Sequence, residues 1–254
     1  MFRTILGRVL LLSLVALFFP SPAHSYDLKP IVIQLAPSGA GAAQSVVITN
    51  THTQPIAIEV RTFKRAQNPD GTDNLTAEDD DLLVTPPQMV IGPKSSQSFK
   101  VRWVGDARPE QELAYRLVTT QLPIKFKQEE TSDVSMNVNM TYRYEAALYI
   151  VPPQSTPSAR LVSVAPFTDN EGKNWLEAKI VSEGTRRAIL DKASLIITPK
   201  NGGAPVTMTG ERTALLVNLN ILVGNERIVR LPWPDEIPLG PVTGELRTDY
   251  VVFD

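Results

Sequence analysis

Few residues of this chain carry side chains suited to catalysis at neutral pH. The 254 residues include no cysteine and two histidines, His24 and His52. A thiol nucleophile, a disulfide and a cysteine-ligated zinc are therefore excluded. A Ser-His-Asp arrangement would have to use His52, because His24 lies in the N-terminal segment that is expected to be removed. His52 lies in Asn50-Thr-His-Thr-Gln-Pro55, whose composition is typical of a turn between strands, and we interpret it as an exposed loop histidine.

Metal and cofactor chemistry find equally little support. Neither a glycine-rich phosphate loop nor a His-Glu-x-x-His motif occurs, so we expect no cofactor and no metal. The acidic stretch Glu78-Asp-Asp-Asp81 lacks the ligand spacing of an EF-hand calcium loop, and we interpret it as a solvated hairpin loop. The 27 acidic residues leave a carboxylate-dependent hydrolase open as an alternative. The favoured prediction is that the protein is not an enzyme.

Residues 1–25 have the pattern of a secretory signal peptide. Two arginines precede an apolar run from Val9 to Phe19, and the small residues Ala23 and Ser25 follow. Removal of this segment would leave 23 basic and 27 acidic residues, without the concentrated basic surface that nucleic-acid binding needs. No later run approaches the roughly 20 apolar residues of a membrane-spanning helix. We therefore expect a soluble, exported protein with no membrane span and no nucleic-acid partner.

Short apolar runs separated by turn residues dominate the rest of the chain, which contains 21 prolines and little helical periodicity. Seven strand candidates precede Pro152-Pro153, at residues 31–35, 45–49, 56–63, 82–84, 98–104, 114–121 and 136–151. Six more follow, at residues 160–164, 174–181, 193–198, 213–216, 227–231 and 244–252. This pattern predicts an all-β protein of two immunoglobulin-like β-sandwich domains, residues 26–153 and 154–254, joined by a short Pro/Ser/Thr linker.

The most regular pattern in the sequence is the segment Asp133–Tyr144. Every second residue is apolar, whereas Ser, Asn, Thr and Arg occupy the positions between. The apolar positions are Val134, Met136, Val138, Met140, Tyr142 and Tyr144. Strict period two indicates a half-buried β-strand, and a strand with a free edge or end could lend its apolar face to another protein. Alternatively, that face packs entirely in the core of its own domain.

Several blocks of sequence resemble one known family. They are Ser45-Val-Val-Ile-Thr-Asn50, Thr85-Pro-Pro-Gln-Met-Val-Ile-Gly-Pro93, Gln97-Ser-Phe-Lys-Val-Arg102 and Glu112-Leu-Ala-Tyr-Arg-Leu117. Their order resembles the PapD-like periplasmic pilus chaperones that work with an outer-membrane usher. The resemblance covers almost the whole chain after residue 25, and its departures from the usual pattern suggest the archaic branch of the family.

The resemblance implies a mechanism for the alternating strand. A family member binds incomplete immunoglobulin-like pilus subunits by donor-strand complementation and delivers them to the usher, without a nucleotide. By position, the inserting residues are Val138, Met140 and Tyr142, with Val134 and Met136 extending the row. Free chaperone could self-associate to hide this row. The alternative from another class is a two-domain structural or adhesive surface protein without chaperone activity.

The family also implies a basic anchor for the subunit's C-terminal carboxylate, and here the sequence departs from the pattern. The expected positions fall near Val32–Gln34 and Ala147, where no basic residue stands. The candidate replacements are Arg143, Arg116 and Arg102, each of which could instead form a surface or interdomain ion pair. Val151 occupies a position where the family often has an arginine at the domain interface. Glu112 matches the usual acidic partner, so we expect different contacts between the domains.

Overall fold

The computed structural model describes residues 26–124 and 141–253, and in these ranges the regular secondary structure is almost entirely β-strand. The predicted all-β class with two immunoglobulin-like sandwiches is confirmed. No helix in the described ranges is long and apolar enough to cross a membrane. The proposed signal peptide, residues 1–25, lies outside the described residues, and so does most of the alternating strand.

The N-terminal sandwich contains ten described strands in two sheets. They are β1 (Asp27–Lys29), β2 (Val32–Leu35), β3 (Ala43–Thr49), β4 (Ile56–Gln67), β5 (Asp73–Ala77), β6 (Leu82–Thr85), β7 (Gln88–Ile91), β8 (Ser96–Trp103), β9 (Leu113–Leu122) and β10 (Arg143–Ile150). One sheet has the order β1-β3-β8-β6, and the other has β2-β10-β9-β4-β5 with β7 also paired to β4. The β2–β10 pair is parallel, and the other pairs are antiparallel.

Alternation along the strands places one face of each sheet in a shared core. Ile48 of β3 and Phe99 of β8 meet Ile58 of β4 and Leu148 of β10, and all four are almost completely buried. Each such side chain contributes on the order of 1.5–3 kcal/mol on burial. The short 3-10 helix Ala40–Ala42 connects β2 with β3.

The C-terminal sandwich contains seven described strands. They are β11 (Ala159–Thr168), β12 (Asn174–Ser182), β13 (Ala188–Pro199), β14 (Val206–Met208), β15 (Asn220–Ile221), β16 (Glu226–Pro232) and β17 (Val242–Tyr250). One sheet has the order β11-β12-β16, and β13 pairs with β14, β15 and β17 in the other. A separate core includes Leu176, Ile180, Leu195 and Leu231.

One predicted strand of this domain is wrong. Residues 213–216 belong to a 3-10 helix, Gly210–Leu216. The hydroxyl of Thr213 is buried and donates to the carbonyl oxygens of Ala193 (2.9 Å) and Gly210 (3.3 Å). Hydrogen bonds from a side chain to nearby backbone compete with the hydrogen bonds of a β-ladder. The apolar residues of this segment therefore indicate that it is buried, but it is not a strand. The predicted turns at 50–55, 170–172 and 201–203 do connect consecutive strands.

The acidic stretch 78–81 is only partly the solvated loop that its charge suggests. Glu78 is buried, and its carboxylate binds Lys64 Nζ at 2.6 Å and accepts hydrogen bonds from the amides of Asp80 and Asp81. Desolvation raises the pKa of Glu78, but the hydrogen bonds from Lys64 and the two amides outweigh it and hold the pKa below its ordinary value. Asp79 and Asp80 are exposed, as a solvated loop requires.

The β4–β5 hairpin contacts the C-terminal domain through its tip. The amide of Ile228 donates to the carbonyl oxygen of Pro69 at 2.8 Å, and Arg227 Nη2 lies 3.4 Å from the carbonyl oxygen of Asp70. Gly71 has φ +92°, and a Cβ on this residue would overlap the Arg227 guanidinium. A glycine therefore suits the turn here, and a larger residue would also require the Arg227 guanidinium to move.

Gly71→Ala should destabilise the protein more than Gly172→Ala. Gly172 has a similar φ of +80° but nothing within 4 Å of its hypothetical Cβ, so both variants carry a backbone cost of about 1–2 kcal/mol. Only Gly71→Ala also displaces Arg227 from the interface. Urea denaturation would measure both losses, and equal values would show that the hairpin contact adds nothing to stability.

Candidate functional site

The site proposed from sequence begins on the alternating strand, and its described part is β10 with Tyr142. Val134, Met136, Val138 and Met140 lie outside the described residues. Tyr142 is half-buried against the N-terminal core, with its ring centroid 5.8 Å from that of His52. Its carbonyl oxygen accepts a hydrogen bond from the Gln121 amide at 2.9 Å.

The half of this strand nearest the linker is part of the domain's own fold. Ala146, Leu148 and Ile150 are completely buried, and the ring centroid of Tyr144 lies 4.6 Å from that of Tyr26. This agrees with the sequence prediction for Tyr144 onward. The C-terminal half of β10 therefore packs in the core of its own domain.

The two edges of β10 have neighbours over different lengths. On one side, β9 pairs with β10 from Arg143 to Ile150. On the other, β2 pairs with it only from Ala147 to Ile150. Among the strands of the described ranges, the first half of β10 is therefore hydrogen-bonded to β9 alone. The other edge of this first half is the one at which another strand could add.

The structure does not bring the three proposed anchors together. Arg143 is exposed and forms an ion pair with Glu145 at 2.9 Å, two residues along the same strand. Arg116, on β9, binds Asp73 at 2.7 Å, and Arg65 binds the same carboxylate at 2.8 Å. Arg102 is exposed on β8, which belongs to the opposite sheet.

Two arginines that the sequence analysis did not select lie where the domains meet. Arg186 and Arg187 immediately precede β13 of the C-terminal domain. Arg187 Nη2 donates to Gln34 Oε1 at 2.9 Å, and Arg186 Nη2 lies 3.4 Å from the same oxygen. Two adjacent arginines before an apolar strand are visible in the sequence and could have been considered as a candidate binding site. Spacing arguments confined to the N-terminal domain could not connect them with Gln34.

Arg187 belongs to a buried ion pair across the interface. Its Nη1 lies 2.5 Å from Glu112 Oε2, and the two side chains are 2% and 1% exposed. The Arg187 guanidinium also stacks 3.7 Å from the ring centroid of Tyr149, and the Glu112 amide donates to the carbonyl oxygen of Thr185 at 2.8 Å. Burial raises the pKa of Glu112, although Arg187 and Arg186 oppose the shift. The expectation of different interdomain contacts is confirmed, because Arg187, just before β13, pairs with Glu112 in place of a base at position 151.

Arg186 faces a cleft of about 710 Å³ between the domains. The cleft is lined by 34–38, 107–110, 151–155, Arg186 and Phe253. The Arg186 side chain is 12% exposed, and its Nε lies 3.8 Å from Glu112 Oε2, which Arg187 already binds closely. Arg186 can therefore offer hydrogen-bond donors to a carboxylate in the cleft.

Comparisons with known proteins agree with this architecture. Residues 32–156 match the family described as "Pili and flagellar-assembly chaperone, PapD N-terminal domain". A search of curated proteins found no match.

Three solved structures illustrate the likeness. The class 5 fimbriae chaperone CfaA has a TM-score of 0.53 at 14% identity, covering 90% of this chain and 100% of that one. A chaperone–tip adhesin complex of CFA/I fimbriae biogenesis gives 0.52 at 14% identity, covering 88% and 98%. The CsuC–CsuE chaperone–tip adhesion subunit complex from the archaic Csu pili of Acinetobacter baumannii gives 0.50 at 15%, covering 81% and 89%. At these identities the likeness shows the fold.

Arg187→Met should cost about 3–5 kcal/mol of unfolding free energy, because it leaves the Glu112 carboxylate buried without its closest cation. Combining it with Glu112→Leu should recover much of the loss, since no uncompensated charge then remains at this pair. Urea denaturation of the two single variants and the double variant would measure this cycle.

The matched control is Arg160→Met, which breaks the exposed Arg160–Glu183 pair and should cost at most about 1 kcal/mol. A loss from Arg187→Met no larger than that of the control would contradict a structural role for the buried pair. So would a double variant as unstable as the sum of its single changes.

Proposed function

The chain belongs to the PapD-like family of pilus-assembly chaperones, and from this premise we propose that it captures incomplete immunoglobulin-like pilus subunits in the periplasm by donor-strand complementation. It then delivers them to an outer-membrane usher. The proposal includes no catalysis and no cofactor. Secretion through the segment 1–25 would bring the chaperone to the compartment where subunits arrive.

The observation that carries this proposal is the one-sided pairing of the first half of β10. A strand that lacks a neighbour on one edge can form backbone hydrogen bonds with the edge of another protein. The residues that precede it in sequence present an apolar row at period two, which suits a groove left by a missing strand. Together, an edge and a row of side chains are what strand donation requires.

The energy available from such an insertion is substantial. Three fully buried side chains such as Val138, Met140 and Tyr142 would contribute on the order of 1.5–3 kcal/mol each. Unbranched methionine adapts to irregular surfaces, which favours a donor row that accepts several related subunits. Tyr142 contacts its own domain near His52 in the free chain, so as a donor it would exchange that contact for the subunit groove.

The similar structures support the class of partner. Two of them are complexes of a chaperone with a tip adhesin or tip adhesion subunit, and we extend this class to the present chain. An apolar donor row is also an aggregation hazard when it is unoccupied. We therefore propose that free chaperone hides residues 136–142 by self-association.

Met140→Asp should abolish subunit capture while leaving the chaperone folded, because a carboxylate cannot enter an apolar groove without a large desolvation cost. The measurement is co-purification with a candidate subunit lacking its last strand, and wild type should give a soluble 1:1 complex. Asn139→Asp is the matched control, since it adds the same charge on the opposite face of the predicted strand.

Two results would contradict the proposal. Unfolding of the N-terminal domain by Met140→Asp, seen by circular dichroism, would place this residue in the domain's own core. Equal capture by both variants would show that the alternating row does not insert.

We also infer that Arg186 is the cation that binds the subunit's terminal carboxylate, beside the sequence candidates Arg143, Arg116 and Arg102. Arg143 and Arg116 already bind carboxylates of their own domain. Arg186 lies next to Gln34, within the segment Val32–Gln34 near which the resemblance places the first basic anchor, and Glu112 is held more closely by Arg187.

Arg186→Gln should weaken subunit capture by about tenfold, the value of roughly one charge-assisted hydrogen bond. Arg143→Gln and Arg116→Gln should change it little, and Arg102→Gln provides a further comparison on the opposite sheet. Titration calorimetry with the same subunit would rank the four variants. A larger loss in any of the other three would transfer the anchor to that residue.

A further inference from the structure

The chain's own residues after β17 reach the same cleft. The Val251 amide donates to the carbonyl oxygen of Ile189 at 2.9 Å, which continues the pairing of β17 with β13. Beyond it, the carbonyl oxygen of Phe253 accepts a hydrogen bond from Arg186 Nη2 and a longer one, 3.4 Å, from Gln34 Nε2. We call residues 252 and 253 the tail segment.

We propose that the tail segment caps Arg186 in the free chaperone and is displaced when a carboxylate enters the cleft. This inference rests on the proposed function, because it assigns a regulation to the same carboxylate site. The Phe253 carbonyl oxygen would occupy the position on Arg186 that the incoming carboxylate later takes. A peptide carbonyl carries no net charge, so this contact does not itself neutralise the guanidinium, which can still attract an anion.

The hydrogen bonds explain why the cap can be held in place. Gln34 uses both ends of its amide: Oε1 accepts from Arg187 and Arg186, and Nε2 donates to the Phe253 carbonyl. The two groups that donate to the Phe253 carbonyl are Arg186 Nη2 and Gln34 Nε2, and they also contact each other through Gln34 Oε1. Gln34 is itself positioned by Arg187, whose guanidinium is fixed by the buried Glu112 carboxylate.

The burial of the tail segment explains why the cap can leave. Val252 and Phe253 are 45% and 49% exposed, so little apolar surface holds them in the cleft. A carboxylate accepts hydrogen bonds from a guanidinium more strongly than a neutral carbonyl does. An incoming carboxylate can therefore replace the Phe253 oxygen, whereas a neutral group of the same shape gains no such advantage.

The docking can be tested without a subunit. In the full chain with phenylalanine labelled with ¹³C at the carbonyl, the Phe253 resonance is identified by its loss from a variant that ends at Val251. That variant retains the Val251–Ile189 hydrogen bond. Arg186→Gln should shift the Phe253 resonance, and the control Arg212→Gln, whose arginine pairs with exposed Glu236, should not. An unchanged resonance in Arg186→Gln overturns the proposal.

Displacement is tested on the same sample with acetate as the carboxylate probe. Sodium acetate should move the Phe253 resonance towards its position in Arg186→Gln, and the neutral isostere acetamide, with sodium chloride at equal ionic strength, should not. Equal effects of the two probes, or no effect of acetate, overturn the displacement step. Neither readout depends on whether the protein captures subunits, so a failure of the proposed function would be recognised separately.

The consequence for capture is measured with the subunit lacking its last strand. The variant ending at Val251 should bind it about threefold to tenfold more tightly than the full chain, since a competing cap lowers apparent affinity by the fraction of open sites. In the Arg186→Gln background the same truncation should give no gain. An equal gain in both backgrounds would overturn the assignment of the cap to Arg186.

Discussion

The buried ion pair between Glu112 and Arg187 is the contact on which the geometry of the cleft depends. Each charge has lost its water and is compensated by the other, so neither can move far without a large electrostatic cost. The pair joins the residue before β9 to the residue before β13, and it therefore fixes one sandwich against the other. Tyr149 stacks on the same guanidinium and also accepts hydrogen bonds from Arg65 and Asn220, which extends the fixed region along the interface.

This constraint determines which groups remain for binding. Arg187 holds the two domains together through Glu112. Its neighbour Arg186 faces the cleft, and its Nε lies farther from the Glu112 carboxylate, at 3.8 Å. Gln34 is oriented by both arginines and so points its amide nitrogen towards the cleft. A cation and a neutral donor thus lie side by side because the interface beneath them is rigid. The arrangement places the basic group in the C-terminal domain, although the strand that would be donated belongs to the N-terminal one.

The fold was predictable wherever long strands alternate, and less so elsewhere. β12 alternates between buried and half-buried residues, and β4, β9 and the second half of β10 contain apolar runs long enough to be recognised as strands. β1, β5 and β14 are short edge strands with few apolar residues, so their pairing depends on neighbours that no local pattern specifies. Burial of Glu78 depends on Lys64, which is distant in sequence. The role of Arg186 was likewise not predictable from local sequence, because its partner Gln34 lies in the other domain.

We assign two roles to β10 and the residues that precede it in sequence, and the order of these roles along the chain has a physical reason. Its C-terminal half is hydrogen-bonded on both edges, to β9 and β2, and fills the core through Leu148 and Ile150. A strand fixed in this way cannot leave its domain without unfolding it. Because β2 ends its pairing at Ala147, the first half of β10 pairs with β9 alone among the described strands, which leaves its other edge for a second partner. The donor would therefore be held at one end by the fold itself, so a subunit would bind a strand whose direction and register are already set, and less of the binding energy would be lost in ordering it.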